Sequence, residues 1–447
     1  MNLKEALRAS RKDKISFVGS GGKTTSLFQL ARQFESPVII TTTTHLGGWQ
    51  LQISDRHYVI ARPEDLEKIK YDSVILLTGP TGSDQRTLNL SSEILEVIKR
   101  ISENYNIPLL IEADGSKQLP IKAPSEKEPP IPLWTSAVCV VVGMSRLNYP
   151  LSSEYVHRAE FFKNITGLEY QQTITEEVIT RYLKSSVGGL KNIPRSSRKY
   201  VLLNQIDDKP LYHAAQRIAE ELIKDYDGIL LGATGKYNDE PDKSIFSTVE
   251  KTAGIILAAG SSRRFEEKPK QLLPWQGQNF LQTIIKKALG AGLDPVIVIT
   301  GANHQIVEQA IINLDVAIHY NESWEQGQST SIKKALEKLP ENIGRCIFLL
   351  ADQPQIPIPL IQKLITHHNA THDKIVYPEV NGNRANPVLF DRDTFAELNQ
   401  LKGDQGGRFI FDQFQCGTVD WEDPRILLDV DTEVDYLKLI KAYENEE

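Results

Sequence analysis

Two glycine-rich stretches hold the residues best suited to phosphate chemistry. The first is "VGSGGKTT", Val18 to Thr25. Glycines let backbone N–H groups turn toward an anion without Cβ clashes. A helix start adds partial positive charge at the same point. In such a loop Gly19, Ser20, Gly21 and Gly22 would cradle phosphates and Lys23 would bring a mobile cation. Thr24 and Thr25 would bring hydroxyls, with Thr24 directed at Mg²⁺. The common pattern G-x-x-x-x-G-K-[ST] needs a glycine where Phe17 stands, so a tight strand-to-helix turn is the bland alternative. Two further strand ends weigh against that alternative. "TTTTHL" places Thr41 to Thr44 after one apolar run, and "LLIEADGSK" places Glu112 and Asp114 after another. A fold with a phosphate loop keeps its metal-side carboxylate at such a strand end.

The second stretch is "GIILAAGSSRRFEEKPKQLLPW", Gly254 to Trp275. An apolar run ends in Leu257, Ala258, Ala259 and Gly260. Ser261 and Ser262 follow with exposed amides, then Arg263, and later Lys270. Nucleotidyl transfer needs this combination. The α-phosphorus becomes five-coordinate while pyrophosphate leaves, and backbone donors with Arg263 and Lys270 would stabilise the charge that builds. Little else is required, because such transfer is mostly positioning and electrostatics. In "FLLADQPQIP", Asp352 ends an apolar strand and must face solvent, pair, or hold a cation. Beside a triphosphate that cation would be Mg²⁺, which takes one or two carboxylates plus phosphate oxygens. "LLDVDTEVDY" supplies Asp429 and Asp431. Asp431 is the candidate second ligand, with helix capping beside Thr432 as its alternative.

The elements that must position these residues are legible as short β-branched runs alternating with amphipathic stretches. "ISFV", "PVIITT", "SVILLTG", "PLLIEAD", "AVCVVVG", "YVLLNQ" and "GILLGA" read as strands, and "TTSLFQLARQF", "SSEILEVIKRISENY" and "LYHAAQRIAEELIKDY" as helices. This is the βαβ pattern of a mainly parallel sheet covered by helices. It restarts with "GIILAAG", "PVIVITG", "VAIHY", "CIFLLAD", "KIVYPEV" and "NPVLF". The polar break between Gly235 and Gly254 contains Pro241 and marks the boundary. The expected organisation is α/β with two domains, 1–240 and 253–447, joined by a linker at 241–252.

Bulk properties narrow the classes. A chain of 447 residues accommodates two cores. A net charge of −7 disfavours nonspecific nucleic-acid binding, which wants a basic face. Cys139, Cys346 and Cys416 form no C-x-x-C pair, and the first two sit in apolar runs, so buried thiols are expected in place of disulfides or zinc ligands. No signal-like h-region and no bilayer-length apolar run is evident. A cytoplasmic protein without membrane association is the expectation.

The motifs also carry two family resemblances. "VGSGGKTT", "TTTTHL", "EADGSKQLPIKAPSEKEPPIP", "VVGMSRLNYPL", "HRAE" (His157 to Glu160) and "LLNQID" (Leu202 to Asp207) resemble the YqeC-type accessory proteins of selenium-dependent molybdenum hydroxylases. The hexapeptide Gly19 to Thr24 is similar to the shorter phosphate loop of Mur ligases and folylpolyglutamate synthases. "NQID" resembles the guanine-reading N-K-x-D, but Gln205 replaces the lysine, so GTP is not implied. His157, Arg158 and Glu160 stand open as either site residues or a helix-face ion pair.

"LAAGSSRRF", "KPKQLLPW", "NESWEQGQSTSIKKAL", "LLADQP", "NRANPVLF", "LKGDQGGRFI" and "DVDTEVDY" resemble the MobA-like nucleotidyltransferases, and within them the molybdenum cofactor cytidylyltransferases. The first resemblance implies a P-loop-like, mainly parallel sheet with helices on both faces. The second implies a Rossmann-like, GT-A-like nucleotidyltransferase domain. Together they imply CMP transfer from CTP to a molybdopterin-type cofactor, with ATP or another NTP in the first domain and a molybdenum hydroxylase as client. By the same resemblance, Gly260, Ser262, Arg263 and Lys270 hold the triphosphate, and Asp352 with Asp431 hold Mg²⁺. Gly327 and Ser331 lie near base and ribose. Asn386, Gly403, Asp404 and Arg408 face the pterin. Two departures are visible. Glu266 follows Phe265 where the family carries glycine, and "RANP" stands where many members read "RGHP". Another phosphorylated acceptor such as a sugar or polyol phosphate, GTP as donor, and a non-catalytic cofactor chaperone are the alternatives.

Overall fold

The computed structural model describes every residue except 47, 83–85, 116, 262–264, 266–268 and 445–447, and of 48–50 the backbone alone. The chain divides into two compact units, Met1–Val249 and Glu250–Glu447, and each is α/β.

The first unit contains β1 (Lys14–Gly19), β2 (Val38–Thr42), β3 (Arg56–Val59), β4 (Val74–Thr78), β5 (Leu109–Glu112), β6 (Ile121–Lys122), β7 (Ala137–Gly143), β8 (Val156–His157), β9 (Arg198–Asn204), β10 (Gly228–Gly232) and β11 (Ile245–Glu250). Nine of these form one sheet in the order β11-β10-β9-β7-β1-β5-β2-β4-β3. All pairings from β10 to β3 are parallel. The alternation of side chains splits the core between the two faces of the sheet. Ile15, Phe17, Cys139 and Val141 pack on one face, and Val18, Val138, Val140 and Val142 on the other. Strands buried on both faces explain why these runs are continuously apolar. The short pair β6–β8 lies outside the sheet and sets Lys122 opposite His157.

Local signals explain the helices between the strands. Ser91 caps Ser92–Tyr105 by accepting from the Ile94 amide, and Asn106 closes it in the left-handed region at φ 52°. Asp208 caps Lys209–Leu222 in the same way. Helix Lys23–Gln33 starts differently: its N-cap is Gly22 at φ 118°, with no side-chain cap.

Residues 241–252, expected to be a linker, are largely built into sheets. Pro241–Lys243 is a single 3-10 turn, β11 lies on the sheet edge beside β10, and Thr252 opens the next strand. The polar composition reads as loop because an edge strand interleaves Ser247 and Thr248 with its apolar residues and shows no continuous run.

The second unit contains β12 (Thr252–Ala258), β13 (Pro274–Trp275), β14 (Gln278–Asn279), β15 (Val296–Thr300), β16 (Ala317–Tyr320), β17 (Arg345–Leu350), β18 (Ile375–Val380), β19 (Asn383–Arg384), β20 (Val388–Asp391) and β21 (Cys416–Asp420). Its main sheet runs β16-β15-β12-β17-β20-β18-β19, with β21 on β18. The part from β16 to β17 is parallel, and β20 is antiparallel to both neighbours. The parallel half thus delivers the ends of β12 and β17, and with them the "LAAG" and "LADQ" segments, to one edge.

The opposite end of β17 is closed by a buried charge. Arg345, fully buried, donates to Thr252 Oγ1 at 2.7 Å, Asn369 Oδ1 at 2.6 Å and the Glu250 carbonyl at 3.2 Å. It also meets His368 Nδ1 at 2.7 Å, and His368 Nε2 meets Asp391 at 3.0 Å. Arginine can only donate, so Nδ1 accepts and the Nε2–H donates to Asp391. Burial holds His368 below its ordinary value, consistent with a neutral ring. Arg345→Ala should destabilise the second unit by about 3–5 kcal/mol, because the partner groups stay buried without their donor. Urea unfolding of the full chain measures this, and a loss under about 1 kcal/mol would contradict it.

Candidate functional site

In the first unit β1 carries the chain into Gly19 to Gly22 at the C-terminal edge of the parallel sheet, where such sheets bind ligands. Gly19 has φ 90°, and a Cβ there would sit 2.2 Å from the Val141 carbonyl oxygen, so only glycine fits. Because Gly22 offers no side-chain cap, the first-turn amides of helix Lys23–Gln33 have no acceptor within the helix. Asn204, at the end of β9, steadies the loop. Its Nδ2 donates to the Gly21 carbonyl at 2.7 Å, and its Oδ1 accepts from the Thr234 amide at 2.9 Å. Ser20 Oγ donates to the Pro120 carbonyl at 3.0 Å, so this hydroxyl is used in the loop.

The loop opens onto a cleft of about 710 Å³. Gly21 to Thr25, Thr44 and Glu112 line it, together with Lys117, Gln118, Glu128, His157, Arg158 and Gln205. Thr24 Oγ1 donates to Glu112 Oε2 at 2.8 Å. This is the hydroxyl–carboxylate pair in which such folds hold a phosphate-bound divalent cation. Burial lifts Glu112 above its ordinary value although Lys23 and the Thr24 hydroxyl pull the other way.

Asp114 lies beneath the loop and not in the cleft. It accepts from the Gly19 amide at 2.9 Å and pairs with Lys23 at 3.0 Å and Lys122 at 2.9 Å. Lys122 pairs with Glu128 at 2.8 Å, and Glu128 in turn takes both terminal nitrogens of Arg158. An alternating chain, Lys23–Asp114–Lys122–Glu128–Arg158, therefore runs along the base and wall of the cleft. Burial opposes the charge on Lys23, but Asp114 and Glu112 outweigh it and hold its pKa above the ordinary value.

Lys122, Glu128 and Asn204 were not singled out from the sequence. Lys122 and Glu128 lie in a proline-rich stretch that shows no periodicity. Arg158 makes no helix-face pair with Glu160: it reaches back to Glu128, while Glu160 accepts from Tyr170 at 3.2 Å.

In the second unit, Lys270 joins the two expected carboxylates. Its Nζ pairs with Asp352, with Asp431 at 3.3 Å, and donates to the Val430 carbonyl at 3.0 Å. Burial works against that charge, but Asp352 and Asp431 hold Lys270 above its ordinary value. Thr432, not Asp431, is the N-cap of helix Glu433–Tyr443. Asp429 accepts from Gln353 at 2.7 Å, fixing the residue beside Asp352. Gln271, another residue the sequence did not flag, donates to the carbonyls of Ala258 and Gly260 at 3.2 and 3.0 Å and shapes the loop after β12. Ser262 and Arg263 lie outside the described residues.

Elsewhere in this unit, Ser331 accepts from Asn321 Nδ2 at 3.0 Å. Gly327 packs so closely on Gly403 that a Cβ would meet its carbonyl carbon at 2.3 Å, and Asp404 N at 2.6 Å. The structure thus brings together two segments expected to serve different substrates. Asp404 and Arg408 are exposed, and Asn386 is half-buried. Among the described residues no cluster of three or more His, Cys, Asp or Glu could hold a metal by itself. Two carboxylates converging on one point instead suit a cation completed by substrate phosphates. No helix among the described residues is long and apolar enough to cross a membrane.

Two family profiles match. The one described as YqeC protein covers residues 15–160, and the one described as MobA-like NTP transferase domain covers 254–418. The chain is 31% identical over 230 residues to the uncharacterized protein YqeC of Escherichia coli, spanning 49% of this chain and 86% of that protein. The chain belongs to the YqeC family, with a MobA-like NTP transferase domain in its second unit. Over the second unit it is 29% identical across 195 residues to the purine catabolism protein PucB of Bacillus subtilis, spanning 41% of this chain and 93% of that one. It is 27% identical across 190 residues to the molybdenum cofactor cytidylyltransferase of Escherichia coli, spanning 42% and 95%.

The cleft wall predicts a two-step acid response. Burial, then Arg158, Lys122 and Lys117, lower His157 from 6.5 to about 4. The unfolded chain therefore binds this proton first, and stability falls as pH drops from about 6.5 to about 4. Burial pushes Glu128 up, but its bonds to Arg158 and Lys122 win and lower it from 4.5 to about 2. Its contribution is present above pH 4.5 and is lost as pH falls toward 2. In thermal melts across pH, His157→Gln should reduce the upper slope, to which His372 also contributes, and leave the lower one. Unchanged slopes in the variant would show that His157 is not depressed.

Proposed function

We propose that the second unit transfers CMP from CTP to the phosphate of a molybdopterin-type cofactor. The first unit, on this reading, binds ATP or another NTP on Gly19 to Thr25 and serves maturation of a molybdenum hydroxylase. The observation that carries the transfer is the meeting of Lys270, Asp352 and Asp431 beside the loop Leu257 to Ser261. Its support is the MobA-like match and the cytidylyltransferase relative.

The reaction forms a bond from an oxygen of the acceptor phosphate to the α-phosphorus of CTP. It breaks the bond from that phosphorus to the oxygen bridging to the β-phosphate, and the electron pair leaves with pyrophosphate. Asp352 and Asp431 would hold Mg²⁺ together with phosphate oxygens, and the ion would neutralise charge on the triphosphate. Lys270, kept cationic by the two carboxylates, stabilises charge on the leaving group, and the amides of Gly260 and Ser261 orient the phosphates. Ser262 and Arg263 join them by the same reading. Gly327 and Ser331 face base and ribose. Asn386, Gly403, Asp404 and Arg408 face the acceptor.

Pyrophosphate release from CTP with Mg²⁺ and purified molybdenum cofactor tests this directly. Asp352→Ala should lower the rate by at least ~100-fold with the fold retained in circular dichroism. If CTP is inert while GTP reacts, the donor assignment fails. If only a sugar or polyol phosphate accepts CMP, the acceptor assignment fails. If Asp352→Ala leaves turnover intact, the site is misplaced.

A further inference from the structure

We infer that the cleft of the first unit has a second anion subsite, formed by Lys117, His157 and Arg158 beside the phosphate loop's own, for a small co-substrate carrying a phosphate or similar oxyanion. This rests on the reading of Gly19 to Thr25 as a nucleotide site and extends it from one ligand to two.

The cleft, at about 710 Å³, lies in the upper part of the range of small-molecule sites, ~300–1,000 Å³. Its lining draws charge from several segments: Lys23 and Glu112 by the phosphate loop, Arg86, and Lys117, Arg158 and Glu128, with the His157 imidazole among them. Glu128 does not neutralise that wall, because it is shared between Lys122 and Arg158. The residual field there is positive enough to act on His157, whose pKa is lowered by burial and then by Arg158, Lys122 and Lys117. A neutral imidazole N–H and two cations are donors suited to an oxyanion, and the planar fork of arginine is suited to two of its oxygens.

Asp114, Lys122 and Glu128 come between Lys23 and Arg158 along the ion chain, and Lys122 is almost completely buried within it.

The backbone gives independent support. Lys117 (φ 49°), Gln118 (63°), Arg158 (60°) and Gln205 (61°) are all non-glycine residues in the left-handed region, and all line this cleft. Such conformations are unfavourable, persist only where the surroundings impose them, and gather at ligand sites. Here they aim one side chain from each of three separate segments into the same space, with Gln118 beside Lys117. Glu128 is a positioning residue for Arg158, and Lys122 for Glu128.

Equilibrium dialysis of the full chain with radiolabelled inorganic phosphate tests the subsite. It is run with and without saturating Mg²⁺ and a non-hydrolysable ATP or GTP analogue. Phosphate should still bind when the analogue is bound. Lys117→Gln, at an exposed side chain, should weaken phosphate at least ~10-fold, and Arg158→Gln should do so by at least as much. Analogue affinity should change less than ~2-fold in Lys117→Gln. Displacement of phosphate by the analogue, or phosphate binding unaltered in Lys117→Gln, overturns the proposal. So does a loss of analogue affinity that matches the loss of phosphate. If neither analogue binds the wild-type chain while phosphate binding remains sensitive to Lys117, the nucleotide reading fails and the subsite stands.

Discussion

Asp114 is the constraint on which the first site depends. It is 2% exposed, and an isolated carboxylate at that depth would cost several kcal/mol. Three donors from three segments compensate it: the Gly19 amide, Lys23 and Lys122. None of them can be relocated alone. Moving the phosphate loop would strip the carboxylate of a backbone donor and a lysine together. Moving β6 would remove the other lysine and, through Glu128, the support of Arg158. The loop geometry and the cleft wall are thus consequences of a single buried charge at the end of β5.

The second unit uses the same groups in a looser way. Lys270 again joins two carboxylates, but the Asp431 side chain is 59% exposed and those of Lys270 and Asp352 about a fifth. An ion pair open to water contributes little to stability, about 0–1 kcal/mol, so the Lys270–Asp431 pair can be remade around a phosphate without loosening the fold. Rigidity is supplied nearby by uncharged contacts. Gln271 ties Ala258 and Gly260, and Gln353 ties Asp429. In the first unit charge builds the architecture. Around Lys270 in the second, side-chain amides build it, and the buried charge of Arg345 lies at the opposite end of β17.

This difference decides what could be read from the sequence. The α/β character of both units, the two glycine loops and the carboxylates at the ends of β5 and β17 follow from local pattern, because strand ends and apolar runs are local properties. The pairing of Asp352 with Asp431, distant in sequence, was implied by the family resemblance and not by spacing. Lys122, Glu128 and Asn204 act over separations of six residues or more, Lys122 and Glu128 from a proline-rich stretch without periodicity and Asn204 from the end of β9, and no spacing announces their partners. Arg158 was noticed for its neighbours in "HRAE" and then paired elsewhere. β11 was missed for a related reason: its buried positions include Ser247, Thr248 and Glu250, so it shows no continuous apolar run, and its place depends on β10.

If the second unit recognises its substrates as proposed, the contact between Gly327 and Gly403 constrains that recognition. Gly327 has φ 106°, leaves no room for a Cβ against Gly403, and is followed by Ser329, whose amide donates to the Gly403 carbonyl at 3.0 Å. The start of helix Gln328–Lys338 and the Gly403–Asp404 turn are therefore one packed unit. Ser331, one turn along that helix, is fixed by Asn321. A side chain introduced at Gly327 would push on the turn as well as on the helix start, so effects on a nucleotide and on an acceptor need not separate between these positions. Packed interiors shift between discrete arrangements more readily than they stretch. Occupancy at one segment would then be felt at the other through backbone contact alone, without any residue that touches both ligands.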